Sequence, residues 1–407
     1  MTMAGNALTG VKIADFTWSV AGPLTVKFLA DHGAEVIHIE SSTRPELLRV
    51  LPPFRDRKPG INRSAYNACL NNNKYGLSLD MNHSRAKEIL HRLIHWADVV
   101  TENFSPGVMG KWGLSYEDLV KIKPDIIMFS TSQMGQTGPR AKVAAYGTQL
   151  VSLAGFTYLT GWADRDPTGP YGPYTDTTIP HIGVAAIMTA LIHRRRTGKG
   201  TYIDISQFET ALNFISPILL DYAINHRAAT RDGNRCPDSV PHGVYRCRGD
   251  DRWCAIAIFS DEEWGRLCQT MGRPELATVP RFGSFQQRRE NEDEIDRLIS
   301  EWTAERPAEE VMCTLQKAGV AAGVAQTGED LLENDPQLAH RGFFQKLEHK
   351  EIGKHYYETP PFRLSTTPCE LMTSGPCMGE HNEYVCKEIL GFSDKEYDDL
   401  MTDGVLR

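Results

Sequence analysis

The stretch "PYGPYTDTTIPHIGVAAIMTALIHRRRTGKGTYIDIS", Pro170 to Ser206, sets one acid, Asp176, between a Tyr/Pro/Gly-rich loop and a long apolar segment. A carboxylate is a weak nucleophile in water. Held dry and close to an activated acyl group, it becomes an effective one. The neighbours suit that use. Tyr171 and Tyr174 can shield the acid, Gly172 permits close backbone approach, and Thr177 and Thr178 offer hydroxyls. Pro180 fits near a helix start, and a helix N-terminus favours an ionised acid and nearby oxyanions. From spacing alone, a helix cap is an equally good reading of Asp176.

Other chemistries lack their residues. The first apolar run is followed by "TWSVAGP" (Thr17–Pro23), not G-x-G-x-x-G, which argues against a nicotinamide or flavin site. "RRRTGKG" lacks the Walker A spacing, and there is no G-x-S-x-G elbow and no H-E-x-x-H. The thirteen histidines are scattered, so no metal site is expected. A net charge of -8 argues against broad nucleic-acid binding, though local Arg and Lys can still hold a small anion. The nine cysteines are odd in number and form no C-x-x-C pair, so they read as thiols in a reducing compartment. "MTMAGNALTG" has neither the basic start nor the apolar core of a signal peptide. The longest apolar run, Ile182–Ile192, is about half the ~20 residues of a membrane span. A cytoplasmic protein with no membrane or nucleic-acid partner is expected.

The elements that must position Asp176 alternate. Strands are expected at Val11–Phe16, Ala34–Glu40, Asp98–Phe104, Asp125–Met134 and Thr201–Ser206. Helices are expected at Gly22–Gly33, Ser84–Ala97, Tyr116–Pro124, after Asp176, and at Gln207–Asn225. Strands alternating with helices mean βαβ units around a parallel sheet. Ligands bind such sheets at the carboxyl ends of the strands. Arg44, Arg49 and Arg140 fall in those strand-end loops, where they could pair with phosphates. The texture changes near Ala228, and a smaller α/β domain is expected up to about Leu331. Helices are expected there at Asp261–Met271, Gln286–Ala304 and Pro307–Ala318, and a last helix at Asn382–Leu390.

The chain resembles the family III CoA-transferases, which include the formyl-CoA and carnitine CoA-transferases and share a fold with α-methylacyl-CoA racemase. The resemblance rests on "GVKIADFTWSVAGPLTVKFLADHGAEVIHIE", "ENFSPGVMGKWGLSYEDL", "GQTGP", "HRRRTGKGTYIDISQFE", "DPQLAHRG" and "MGEHNEYVCKEILG", in the family's order across nearly the whole chain. It implies a large Rossmann-like domain whose parallel sheet is built from both chain ends (1–227 and 332–407), a small α/β domain inserted at 228–331, and an interlocked dimer. It places Asp176 at the family's nucleophilic aspartate. Trp18, Ser19, Val20, Ala21, Asn103, Phe104, Lys111 and Tyr146 fall on positions that contact CoA in relatives.

The activity so implied is transfer of CoA from a donor such as succinyl-CoA to an organic acid, through aspartyl anhydride and aspartyl-CoA thioester intermediates. CoA thioester is then a substrate, with no permanently bound cofactor. Among members, "YTDTTIPHIG" and "DISQFE" are most similar to benzylsuccinate CoA-transferase subunits, enzymes of anaerobic aromatic degradation, so the chain is expected as a homodimer or as half of a heteromer. Two alternatives stand beside this. A racemase-like isomerase needs a base where this chain has Tyr146, and a phenol of ordinary pKa near ~10 is a poor one. A non-catalytic subunit would be expected to lack the aspartate. Val20 stands where formyl-CoA transferase has Gln, so backbone N–H groups near Ala21 and Gly22 would serve an oxyanion, and "CPDSVPHG" replaces that enzyme's glycine-rich lid.

Overall fold

The computed structural model describes residues 5–143 and 146–407, so the first four residues of the N-terminal stretch lie outside it. Two compact units divide the chain: Met1–Phe156 with Gly169–Ala228 and Gln337–Arg407, and Thr157–Thr168 with Ala229–Pro336. The second unit therefore includes a short segment, 157–168, that the sequence reading assigns to the first.

In the first unit six strands form one parallel sheet. They are β1 (Lys12–Asp15), β2 (Glu35–Glu40), β3 (Tyr75–Ser78), β4 (Val99–Glu102), β5 (Ile127–Ser132) and β6 (Thr201–Ser206), in the order β3-β2-β1-β4-β5-β6. Ile13 of β1 sits in register with Val36 on one side and Val99 on the other. Strands covered on both faces read as unbroken apolar runs, which is how the starts of β4, Val99–Val100, and of β5, Ile127–Phe129, appear. One face carries α2 (Ala86–Trp96) and α3 (Tyr116–Ile122). Ala86, Ile89, Leu90, Leu93 and Ile94 of α2 are buried, a stripe at the 3.6-residue period. The other face carries α1 (Ala21–Ala30) and a long helix, Tyr174–Thr197, packed through Val26, Leu29, Phe129 and Ile187. Gly183 of the long helix lets it close on α1: a Cβ there would lie 3.0 Å from Thr25 Cγ2 and 3.1 Å from Phe129 Cζ.

The strand order runs outward from β1 in both directions, so the topological switch lies between β1 and β4. Ligands of such sheets bind in the crevice at that point.

All six strands come from residues 12–206, so the C-terminal return adds no strand to the sheet. It joins the first unit through a Leu79–Leu406 bridge, a hairpin and side chains on the sheet edge. At that edge Gly76 N–H donates to His381 Nδ1 (3.1 Å) and Ser78 N–H to Asn382 Oδ1 (2.8 Å). These contacts cap β3, whose free edge would otherwise expose unpaired amides. Sequence reading assigns no element at β3; "YGLS" is four residues with a glycine and shows no period.

The second unit holds an antiparallel sheet of His242–Arg246, Trp253–Ala257 and Ala321–Val324. Helices Asp261–Thr270, Glu292–Ala304 and Ala308–Lys317 pack its own core around Trp264, Leu267, Ile295 and Ile299. The helix expected over Gln286–Ala304 is broken at Asn291, which ends the helix Phe285–Glu290.

Candidate active site

Two of the strand-end loops meet at the switch point. Trp18 N–H donates to Asn103 Oδ1 (2.8 Å), and Asn103 Nδ2 donates back to Trp18 O (2.6 Å). This pair ties the loop after β1 to the loop after β4. Trp18 also lies edge-on to Phe104, with ring centroids 5.3 Å apart. A cavity of about 530 Å³ opens here, lined by Ser19, Val20, Ala21, Arg44, Asn103, Phe104 and Tyr146 together with Asp176.

A short helix, α4 (Gly147–Leu153), comes up beside the long helix Tyr174–Thr197, hereafter α5, which carries Asp176. Asp176 is the third residue of α5, after Pro173 at the cap position, and no side chain caps that helix start. A capping acid would precede the helix and accept an amide of its first turn. Asp176 is instead inside the helix, with its own N–H given to Pro173 O (2.9 Å). Pro180 lies within α5, not at its start, four residues beyond Asp176. It lacks the N–H that would bond to Asp176 C=O.

Burial alone pushes the Asp176 carboxyl up to about 7, with no cation among the described residues to offset it. A second raised acid, Glu102, also reaches about 7 by burial, but it accepts Phe104 N–H (2.7 Å) and lines a different cavity. Asp176 is the raised acid that faces the switch-point cavity.

Not every expected contact gathers there. Trp18 stands behind the wall and shapes it through Asn103 and Phe104. Lys111 and Arg140 are exposed and lie outside the residues lining the cavity. Arg49 is a correction. It is buried, forks onto both Glu40 oxygens, and also donates to Asn62 Oδ1 (3.0 Å) and Pro376 O (3.0 Å). With its donors spent inside the fold, it has no path to a phosphate.

Sequence reading misses Gly147, Gln133, Gln149 and Gln207, which also line the cavity. Gln133 and Gln207 follow directly on the last residues of β5 and β6, so strand-end position was their available signal. Gln149 Oε1 accepts Tyr146 N–H (3.0 Å) and fixes the start of α4. The two residues before Tyr146, in "AAYGTQ", lie outside the described chain.

The sheet thus has a β1/β4 switch, a desolvated acid facing the crevice there and no dinucleotide fingerprint. The model of CoA-transferase family III matches residues 8–382. The chain is 32% identical to succinyl-CoA–D-citramalate CoA-transferase of Chloroflexus aurantiacus, over 98% of each. It is 33% identical to probable CoA-transferase Rv1866 of Mycobacterium tuberculosis over 99% of its own length, and spans 51% of that longer protein. The crystal structure of a CAIB/BAIF family protein from Brucella suis is similar over 95% of this chain and 100% of that one, with a TM-score of 0.86 and 30% identity. The chain belongs to CoA-transferase family III and is an enzyme of that class.

Proposed function

We propose that this enzyme moves CoA from succinyl-CoA to a dicarboxylate, with Asp176 as the nucleophile. The observation that carries the reading is the Asp176 carboxylate: desolvated, without a cationic partner among the described residues, and open to the switch-point cavity. Such an acid is a good nucleophile, because little solvation must be stripped from it before attack.

Asp176 attacks the succinyl-CoA carbonyl and expels CoA thiolate, leaving a mixed anhydride. The thiolate attacks the aspartyl carbonyl of that anhydride and releases succinate, leaving aspartyl-CoA thioester. The acceptor carboxylate attacks this thioester, forming a second anhydride and freeing the thiolate again. The thiolate then attacks the acceptor's acyl carbon, giving the new thioester and restoring Asp176. Water must be kept out, since each intermediate hydrolyses. Ser19, Val20, Ala21, Arg44, Asn103, Phe104 and Tyr146 form the wall along which CoA lies in this reading, with Lys111 and Arg140 at its outer reach.

Support for a dicarboxylate acceptor comes from relatives named for D-citramalate, glutarate and L-malate. Benzylsuccinate, the aromatic-substituted dicarboxylate suggested by the loop around Asp176, belongs in the acceptor panel. A cytoplasmic setting accords with the nine free thiols. A second chain, either a copy or a sibling, is part of the proposal. It is supported by exposed apolar side chains on the first unit, Ile192, Phe214, Leu220, Tyr222 and Ile224 among them, and by relatives named as alpha and beta subunits.

The test is intact-mass analysis after mixing with succinyl-CoA and then borohydride. Reduction of an aspartyl thioester turns the carboxyl into CH2OH, replacing one oxygen by two hydrogens. The change should map to Asp176 and vanish in Asp176→Asn. An unaltered mass across a panel of acyl-CoAs, with α-proton exchange in deuterated water, would transfer the protein to the racemase class.

A further inference from the structure

Behind the cavity wall lies a fully buried ionic cluster that the proposed chemistry does not use. Asp15 ends β1, His38 sits in β2, and Glu46 and Lys74 come from the connections beyond β2. His38 is gripped at both ring nitrogens: Nδ1 is 3.0 Å from Asp15 Oδ2 and Nε2 is 3.3 Å from Glu46 Oε1. Lys74 Nζ donates to Asp15 Oδ2 (3.0 Å), Asn71 Oδ1 (2.9 Å) and Pro23 O (3.1 Å), and Asn71 Nδ2 donates to Glu46 Oε1 (3.3 Å). Two buried carboxylates thus face two buried bases, and the side-chain amide completes the set.

His38, Glu40 and Glu46 approach one another closely enough to suggest a cation site. Their ligand atoms are already engaged, Glu40 by Arg49 and the other two as above. Orientation is the use left to the cluster, and what it orients is a backbone turn. Glu46 Oε2 accepts the N–H of Ser19 (3.0 Å). Ser19 has φ of 65°, the left-handed region that costs a non-glycine residue about 1 kcal/mol. Asp15 Oδ1 meanwhile accepts Thr17 N–H (3.0 Å), Thr17 Oγ1 (2.5 Å) and Thr101 Oγ1 (3.0 Å). The left-handed residue reverses the chain directly into α1, which brings Ser19, Val20 and Ala21 onto the cavity lined by Asp176.

We infer that Glu46, locked by His38 and Asn71, is a positioning residue: it holds Ser19 in its left-handed turn and so sets the wall against which the acyl-CoA lies. The inference rests on the transferase reading of that cavity. Its charge makes Glu46 a stronger acceptor than any neutral side chain. Its burial makes the contact permanent, because an unpaired carboxylate there is costly. A wall displaced by about 1 Å can cost on the order of a hundredfold in rate.

The test is a double-mutant cycle in the full-length enzyme between Glu46→Gln and Ser19→Gly, read as kcat with succinyl-CoA and as the Kd for free CoA by calorimetry. Glycine adopts the left-handed turn unaided. Glu46→Gln should therefore cost about tenfold when Ser19 is retained and much less when it is combined with Ser19→Gly, a coupling that simple loss of fold would not give. Glu46→Ala, where it folds, should repeat the pattern with a larger first term. Equal fold costs in both backgrounds would overturn the positioning role. Asp176→Asn run alongside separates the two readings: full activity in that variant sinks the nucleophile, whereas an inactive Asp176→Asn with an additive Glu46/Ser19 cycle sinks the positioning role alone.

Discussion

A Cβ built on Gly147 would lie 2.5 Å from Asp176 Oδ1 and 2.6 Å from Oδ2. The first residue of α4 and the third of α5 thus meet through a bare α-carbon, and the carboxylate rests where any side chain would stand. The same Cβ would also meet Pro173 Cβ at 2.5 Å, so the α5 start cannot easily give way. Gly147→Ala should therefore swing the carboxylate out of its place. The expected result is a fall in kcat of roughly a hundredfold, the scale of a 1 Å misplacement. The stability loss should be modest, about 1–3 kcal/mol for one extra methyl in a packed site. Steady-state kinetics and urea unfolding on the same preparation check both.

The raised Asp176 pKa gives two pH signatures. As a nucleophile the acid must be ionised, so kcat/KM for succinyl-CoA should rise with pH through about 7 and then level. For stability the sign is opposite. Between its ordinary value of 3.8 and about 7, the folded chain keeps a proton that the unfolded chain has lost. Stability then falls as pH rises across that window and is flat above it. Asp176→Asn carries no such proton and should be the more stable protein at pH 8. The gap should open from about pH 4 to about pH 7 and reach roughly 1–2 kcal/mol, allowing for solvent screening at a half-buried side chain. Thermal melts of both proteins across pH test this; a gap that does not change with pH would refute it.

Much of this arrangement was legible in the chain because it depends on local signals. Apolar runs between helical stripes marked five of the six sheet strands, and the loops at their ends held Ser19 and Asn103, while the Tyr/Pro/Gly-rich stretch before a long apolar segment marked Asp176. Tertiary facts were not legible. β3 pairs with β2, and its outer edge is capped by His381 and Asn382, some three hundred residues away. Gln207–Asn225 is expected as one helix, yet Ser216–Pro217 splits it into two, since proline supplies no N–H to the first. Gly147 carries its meaning in what it lacks, and only the approach of α5 gives that lack a purpose. Arg49 looked like its loop neighbour Arg44, because nothing local tells a buried arginine from an exposed one.

That last pair yields the sharpest contrast. Arg49 is buried against Glu40, whose carboxyl it holds below the ordinary value despite burial that would raise it. It also pins the return segment at Pro376 O. Removing it leaves Glu40 as an uncompensated buried charge, so Arg49→Met should cost about 3–5 kcal/mol of unfolding free energy. Adding Glu40→Gln should recover much of that loss, because the orphaned charge goes with it. Arg44 is exposed on the cavity wall. Arg44→Ala should leave stability within about 0.5 kcal/mol. It should raise the Kd for CoA about tenfold, the worth of one charge-assisted hydrogen bond. Urea unfolding and calorimetric CoA titration of both variants, below their melting temperatures, decide the assignment. If Arg49→Met instead weakened CoA binding with stability intact, the guanidinium would have to leave Glu40 to reach the ligand, and the buried pair would be a resting state.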